Sequence, residues 1–339
     1  MQALIGPLKE LAEFEEICKK KMDGPGMLKI TGCVSSQKTH MMYALGDGCP
    51  YKVIACSSET KAKQVYEEYR FLSGETYLYP AKDLLFYQAD LRNKALVKER
   101  MEVLQAVITR PSLTVVTSFD AFMDVLLPRE VLADRAIRIG ADSTVDMAEL
   151  ERKLAGIGYD REAQIEGPGQ FAVRGGILDV YPLTAELPVR IELWGDEVDS
   201  IRSFDVETQR SIENLTEVWI YPAAEFPGEG EKGVSFLDYF PVKDTLLFLD
   251  EPVRLLEKGQ AVEEEFLEAQ KRRVESGMEV TEEEARLYTT RELAARMDGY
   301  SSIGMCALEM AGKGFAQRGS YSIQAKSVNP YNSSFDLLT

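Results

Sequence analysis

This chain of 339 residues contains a single histidine, His40. One imidazole cannot build a multi-histidine metal centre, and it removes most Ser-His-Asp and Cys-His arrangements from consideration. Cysteine is also scarce. Cys18, Cys33, Cys49, Cys56 and Cys306 form no C-x-x-C pair, so no zinc site suggests itself, and the odd count suits reduced thiols better than a disulfide framework. Basic residues are in deficit, 39 Lys+Arg against 56 Asp+Glu, for a net charge of −17. Sequence-blind binding to nucleic acid draws its affinity from Lys and Arg displacing counterions from phosphates, so any such contact here would need a local basic patch. No run of about 18 apolar residues occurs, and the first residues mix Leu4, Ile5 and Leu8 with Lys9, Glu10 and Glu13, which fits neither a signal peptide nor a membrane span. The expectation is a soluble, cytoplasmic protein without internal repeats or low-complexity tracts.

What is present is globular: 45% hydrophobic and 28% charged residues, in a length that suits about two or three domains. A helical pattern (Leu4, Leu8, Leu11, Phe14, Ile17) ends near Gly24-Pro25-Gly26, and then strand and helix patterns alternate. Strands are expected at 27–31, 52–56, 76–79 and 113–117, with helices at 38–45, 58–72, 94–109 and 119–126 between and after them. This is βαβ punctuation and predicts a parallel sheet covered by helices. Past Pro128 the texture changes to short alternating strands with glycine-rich turns and one helix near 146–154, the pattern of an inserted strand-rich α+β domain over 136–221. The α/β pattern resumes with a strand at 245–249, two long surface helices within 252–297, and strands near 302–306 and 320–325. The resulting division is 1–135, 136–221 and 222–339.

Gly32-Cys33-Val34-Ser35-Ser36-Gln37-Lys38-Thr39 has the frame of a Walker A motif, G-x-x-x-x-G-K-[ST], in a strand–loop–helix context. Gln37 stands where the second glycine belongs, and it brings a side chain to a place where the backbone must wrap a phosphate closely. Lys38 and Thr39 remain without their cradle. Leu246 to Glu251 is an apolar strand ending in Asp-Glu, the form of a Walker B element. Phosphoryl transfer depends on positioning and electrostatics that a misplaced loop removes, so no ATP turnover, no catalytic residue and no bound cofactor or metal is expected.

The densest signal is the pair of segments Phe171 to Pro182 and Pro188 to Asp196. Two-residue alternation places Phe171, Val173, Val189, Ile191 and Leu193 on one face and Arg174, Arg190, Glu192 and Trp194 on faces that need not be buried. A solvated sheet face with paired arginines explains that pattern without function. Trp and Arg are also the types that dominate association energies, so Arg174, Arg190 and Trp194 form a candidate protein-docking face. Gly175-Gly176 suggests a bend that aims Arg174, and Gly195-Asp196 a hairpin turn.

The segments FAVRGGILDVYP and ELPVRIELWGDEVDSIRSFDVETQRS, with the altered phosphate loop, closely resemble the N-terminal part of the bacterial transcription-repair coupling factors (Mfd). The resemblance implies two halves of a degenerate helicase-like, P-loop-derived domain, akin to the excision-repair helicase UvrB, interrupted by a domain that recruits UvrA. It places Arg174, Arg190 and Trp194 on the UvrA contact, with Trp194 where a Phe would also fit. It further implies a monomeric, non-catalytic adaptor. Contacts with RNA polymerase and double-stranded DNA, the ATP-binding motor, and a C-terminal domain that masks the UvrA surface would belong to parts of the family protein absent from this chain. The rival is UvrB itself, an ATP-dependent damage-verification subunit. Gln37 opposes it, as does Tyr79 to Tyr87 running into a helix where UvrB has a tyrosine-rich DNA-clamping hairpin; Asp250-Glu251 favours it.

Overall fold

Leu246-Leu247-Phe248-Leu249 can be buried on both sides only in the middle of a sheet covered by helices on each face. The computed structural model, which describes residues 5–34, 36–82, 90–227, 230–277, 286–309 and 314–323, with 90–94 by backbone alone, has that arrangement. Its first stretch holds β1 (Gly26–Thr31), β2 (Tyr51–Cys56), β3 (Thr76–Tyr79) and β4 (Leu113–Ser118). Helices α1 (Ala12–Lys20), α2 (Ser36–Leu45), α3 (Glu59–Arg70) and α4 (Asp90–Thr109) precede or link them. Then come α5 (Arg129–Asp134), β5 (Ile137–Gly140), α6 (Met147–Gly156) and the strands β6 (Asp160–Arg161), β7 (Gln170–Arg174), β8 (Ile177–Tyr181), β9 (Val189–Trp194), β10 (Glu197–Phe204), β11 (Ser211–Asn214) and β12 (Glu217–Ile220). The last stretch carries β13 (Thr245–Asp250), α7 (Pro252–Glu275), α8 (Thr290–Met297), β14 (Ser301–Cys306) and β15 (Gln317–Ser322).

The large sheet is parallel throughout, in the order β15-β1-β14-β13-β2-β4-β3. Strands β13 and β14, which follow the strand-rich segment, lie between β1 and β2, which precede it, so chain from both sides of the insertion builds one sheet. Two apolar layers cover its faces: one includes Val53, Val115, Leu247 and Leu249 with α4, α7 and α8, the other Ile30, Ile54, Phe248 and Ile303 with α1, α2 and α3. Ser58 caps α3 by accepting from the Lys61 amide, and Thr289 with Glu292 forms a capping box at α8.

The second sheet is six-stranded, β11-β10-β9-β8-β7-β6, antiparallel except for the two-residue β6–β7 pairing. Its inner face, with Phe171, Leu178, Val180, Val189, Ile191 and Ile201, packs on Leu150 and Leu154 of α6. The chain enters and leaves this region through β5 and β12, which pair antiparallel from Ile137↔Ile220 to Gly140↔Glu217. Among the described residues no helix is long and apolar enough to cross a membrane.

Three expected elements differ. The helix at 119–126 is only a 3-10 turn, Phe119–Phe122, because Phe119, Ala121 and Phe122 are all buried and Leu126 is drawn into an antiparallel bridge with Val234. The N-terminal pattern splits into a 3-10 turn at Gly6–Glu10, with Pro7 in its first turn, and α1, because Leu11 between them is extended. Of the two helices expected within 252–297, α7 is long, but α8 has eight residues and buries Thr290, Leu293 and Met297. Residues 83–87 of the Tyr79 to Tyr87 segment lie outside the described residues.

Candidate functional site: an arginine–tryptophan face and a remnant phosphate loop

Arg174 ends β7 and Trp194 ends β9, and each is followed by a two-residue hairpin loop whose first residue is a glycine with positive φ, Gly175 at 62° and Gly195 at 64°. That conformation suits glycine and reverses a twisted strand in the fewest residues. Since β7 and β9 both run antiparallel to β8, the two residues emerge at the same end of the sheet, Arg174 in one row with Ile177 and Glu192, and Trp194 two residues beyond that row. Two strand spacings and two residues of rise, about 12 Å in all, separate their backbones. The Trp194 side chain is 83% exposed, the largest apolar surface this domain offers to solvent.

Behind this edge lies a charge arrangement that alternation did not single out. Asp179, on β8 directly opposite Arg190, is 1% exposed and accepts from both arginines. Arg190 bonds it side-on, Nε to Oδ1 at 2.6 Å and Nη2 to Oδ2 at 2.9 Å, while Arg174 Nη2 reaches Oδ2 at 2.7 Å. Arg190 Nη2 also donates to Gln209 Oε1 at 2.8 Å, and its guanidinium lies 4.5 Å from the Phe204 ring centroid. Asp179 holds the Arg190 pKa above its ordinary value. The two arginines therefore differ: the Arg174 side chain is 51% exposed, that of Arg190 only 18%. Arg190 belongs as much to the sheet as to its surface. Glu192, between Arg190 and Trp194, pairs with Arg202 of β10 and accepts from Ser200.

Two contributors escaped sequence reading. Asp179 shares the outward register with Ile177 and Tyr181, so pairing β8 against β9 would have found it. Gln209 has φ 57 in the turn after β10, where Asp205 accepts from the Thr208 amide and hydroxyl, and no periodic signal points to it.

The second candidate site is at the C-terminal ends of the parallel strands. In the Walker-A-like loop Gln37 Oε1 accepts from the Val34 amide at 3.3 Å, and Lys38 Nζ lies 2.6 Å from Asp250 Oδ1 and 2.5 Å from Glu251 Oε1. Burial draws the Lys38 pKa down, but the two carboxylates push it up further, and the net shift is upward. Thr39 donates to Glu68 at 2.7 Å. Gly32, at φ 95°, answers a packing demand, since a Cβ there would sit 2.0 Å from the Ile323 carbonyl. Glu251 completes its role by accepting from the Ala307 amide at 2.8 Å. The Walker-type lysine and both Walker-B-like acids thus satisfy one another. Among the described residues no group of three or more His, Cys, Asp or Glu could hold a metal ion.

A split parallel α/β scaffold carrying an antiparallel module through a paired-strand neck defines the class, and comparison with known proteins gives its relatives. The family described as UvrB interaction domain matches residues 137–226. The transcription-repair-coupling factor of Bacillus subtilis (strain 168) is 31% identical over 237 residues, which is 68% of this chain and 20% of that protein. Those of Staphylococcus haemolyticus and Staphylococcus epidermidis (strain RP62A) are 38% and 36% identical over 153 residues, 45% of this chain and 13% of each relative. The chain is thus similar to a stretch of the transcription-repair-coupling factors, and its residues 137–226 match the UvrB interaction domain. It spans a fifth or less of the length of these curated relatives.

Proposed function

We propose that this chain is a non-catalytic adaptor of transcription-coupled nucleotide excision repair, whose inserted domain, 136–221, recruits UvrA. The observation that carries this reading is an indole standing 83% in solvent beside a guanidinium pair anchored on a buried carboxylate. An exposed Trp has little to gain on an isolated domain, whereas Trp and Arg at the centre of an interface each contribute on the order of 2 kcal/mol. Trp194 would fill a shallow apolar pocket on UvrA and Arg174 would meet a carboxylate or carbonyl. Arg190 would act mainly by holding the sheet surface in shape.

The segments 1–135 and 222–339 serve as scaffold. Their remnant phosphate loop supports a non-hydrolysing role because Lys38, which would have to reach a β- or γ-phosphate, is already held between two carboxylates. The module has no cofactor of its own in this reading; ATP, RNA polymerase and double-stranded DNA would engage other regions of the whole protein.

Titration of purified UvrA with this chain and with its Trp194→Ala variant tests the proposal. Binding that weakens about 30-fold in the variant supports it, and equal binding by both moves the site elsewhere. ATP hydrolysis abolished by changing Lys38 would replace the adaptor reading with that of a UvrB-like ATPase.

A further inference from the structure

The docking face reads as a cationic patch until its charges are paired. Arg174, Arg190 and Arg202 are opposed by Asp179 and Glu192, and the pairing is specific: Arg202 with Glu192, Arg190 side-on with Asp179. Side-on pairing uses both Asp179 oxygens for Arg190, and Arg174 is the third donor on a carboxylate whose single charge is already matched. Glu197, exposed and opposite Trp194 on β10, balances the third arginine, so the face is neutral as a whole and Arg174 is the more exposed of the two arginines on Asp179.

From this we infer that Asp179, seconded by Gln209, is the positioning residue of the face: it presents Arg174 as the outward cation on the Trp194 side of a face that is neutral as a whole, and it thereby selects a partner surface with one acidic group next to an apolar pocket rather than a broadly acidic one. The inference rests on the adaptor reading and deepens it. Asp179 is buried, so it acts only through the arginines it holds. A rigid guanidinium loses less freedom on docking than a free one, which is the physical gain of anchoring it. Gln209 adds the second acceptor on Arg190 and keeps that side chain from competing for the outward position.

The test uses the whole chain and purified UvrA, with Arg174→Ala, Trp194→Ala, Asp179→Asn and the double variants Arg174→Ala/Asp179→Asn and Trp194→Ala/Asp179→Asn. Asp179→Asn should weaken binding about tenfold, Arg174→Ala/Asp179→Asn little more than either single change, and Trp194→Ala/Asp179→Asn should be close to additive. Because Asp179→Asn adds one positive charge to a face that is neutral as a whole, the salt dependence of the association rate should steepen, which a merely structural lesion would not cause. The Arg190 Nε–H resonance should move toward its free position. Additivity between Arg174→Ala and Asp179→Asn, or unchanged affinity in Asp179→Asn, overturns the inference while leaving the adaptor reading in place. Unchanged affinity in both Arg174→Ala and Trp194→Ala would move the UvrA contact off this face and overturn the inference with it, whereas failure of the parent chain to bind UvrA would remove the adaptor reading itself. Should Asp179→Asn fail to fold, Gln209→Gly, tolerated by the left-handed backbone there, carries the test: about a threefold loss is expected, and no loss overturns the inference.

Discussion

The inserted sheet and the remnant phosphate loop use the same chemistry to opposite ends. Each brings cationic side chains against buried carboxylates, at the strand ends in one sheet and on the outer face of the other. Around Lys38 one ammonium meets two acids, and the cation is almost wholly covered. Around Asp179 one acid meets two guanidiniums, and a half-exposed cation is left over beside an uncovered indole. The ratio of partners, more than the residue types, separates a closed site from an open one.

The comparison is broken most severely at Lys38. Lys38→Ala leaves Asp250 and Glu251 facing each other without a counter-charge, and removal of one partner from a buried ion pair costs about 3–5 kcal/mol. A urea denaturation midpoint that does not fall would show that the pair does not hold β13 to α2. The pH sign follows from its raised pKa: the stabilisation is present below the ordinary lysine value of about 10.4 and is lost only as pH rises through the higher folded value. Trp194→Ala comes next, at about 2 kcal/mol, or about 30-fold, in UvrA affinity. Its thermal midpoint should match the parent, since the indole is exposed. Arg174→Ala should cost about 1.4 kcal/mol, tenfold, read by the same titration with circular dichroism unchanged.

Smaller effects sharpen the contrast. Hydrogen bonds from the Thr208 amide and hydroxyl hold the Asp205 pKa below its usual value. The turn that carries Gln209 is therefore intact above about pH 4 and loosens as pH falls through the depressed value, and the Thr208 amide resonance should report it. A shift of that resonance centred near neutral pH would refute the assignment. Gln37→Gly restores the missing letter of the phosphate loop, yet calorimetry with Mg-ATP should still show no binding, because Lys38 remains engaged. A clear heat of binding would mean that Gln37 alone had closed the site.

Much of this was legible beforehand. The parallel sheet followed from apolar runs such as Leu246 to Leu249, and the outward register of Arg174, Arg190 and Trp194 from simple alternation. Alternation assigns a face but not a neighbour, so it could not tell that Arg190 is sequestered by Asp179 and Gln209 while Arg174 is not. The break in the Walker A frame was visible in Gln37, but capture of Lys38 by Asp250 and Glu251 joins residues more than 200 positions apart and needs the order of β1, β14, β13 and β2. Equally hidden was the buried Arg100, which pairs with Asp124 at 2.8 Å and Glu225 at 2.7 Å under the Tyr79 ring; a lone arginine on an amphipathic helix carries no mark of burial.

The neck formed by β5 and β12 bears on heredity. Because Ile137 and Ile220 are opposite one another across a strand pair, the cassette between them begins and ends within about 5 Å. A gene segment encoding such a cassette can enter an exposed loop with a hairpin-wide gap without stretching its host, and here Leu183 alone of its fully buried apolar side chains joins the host's core.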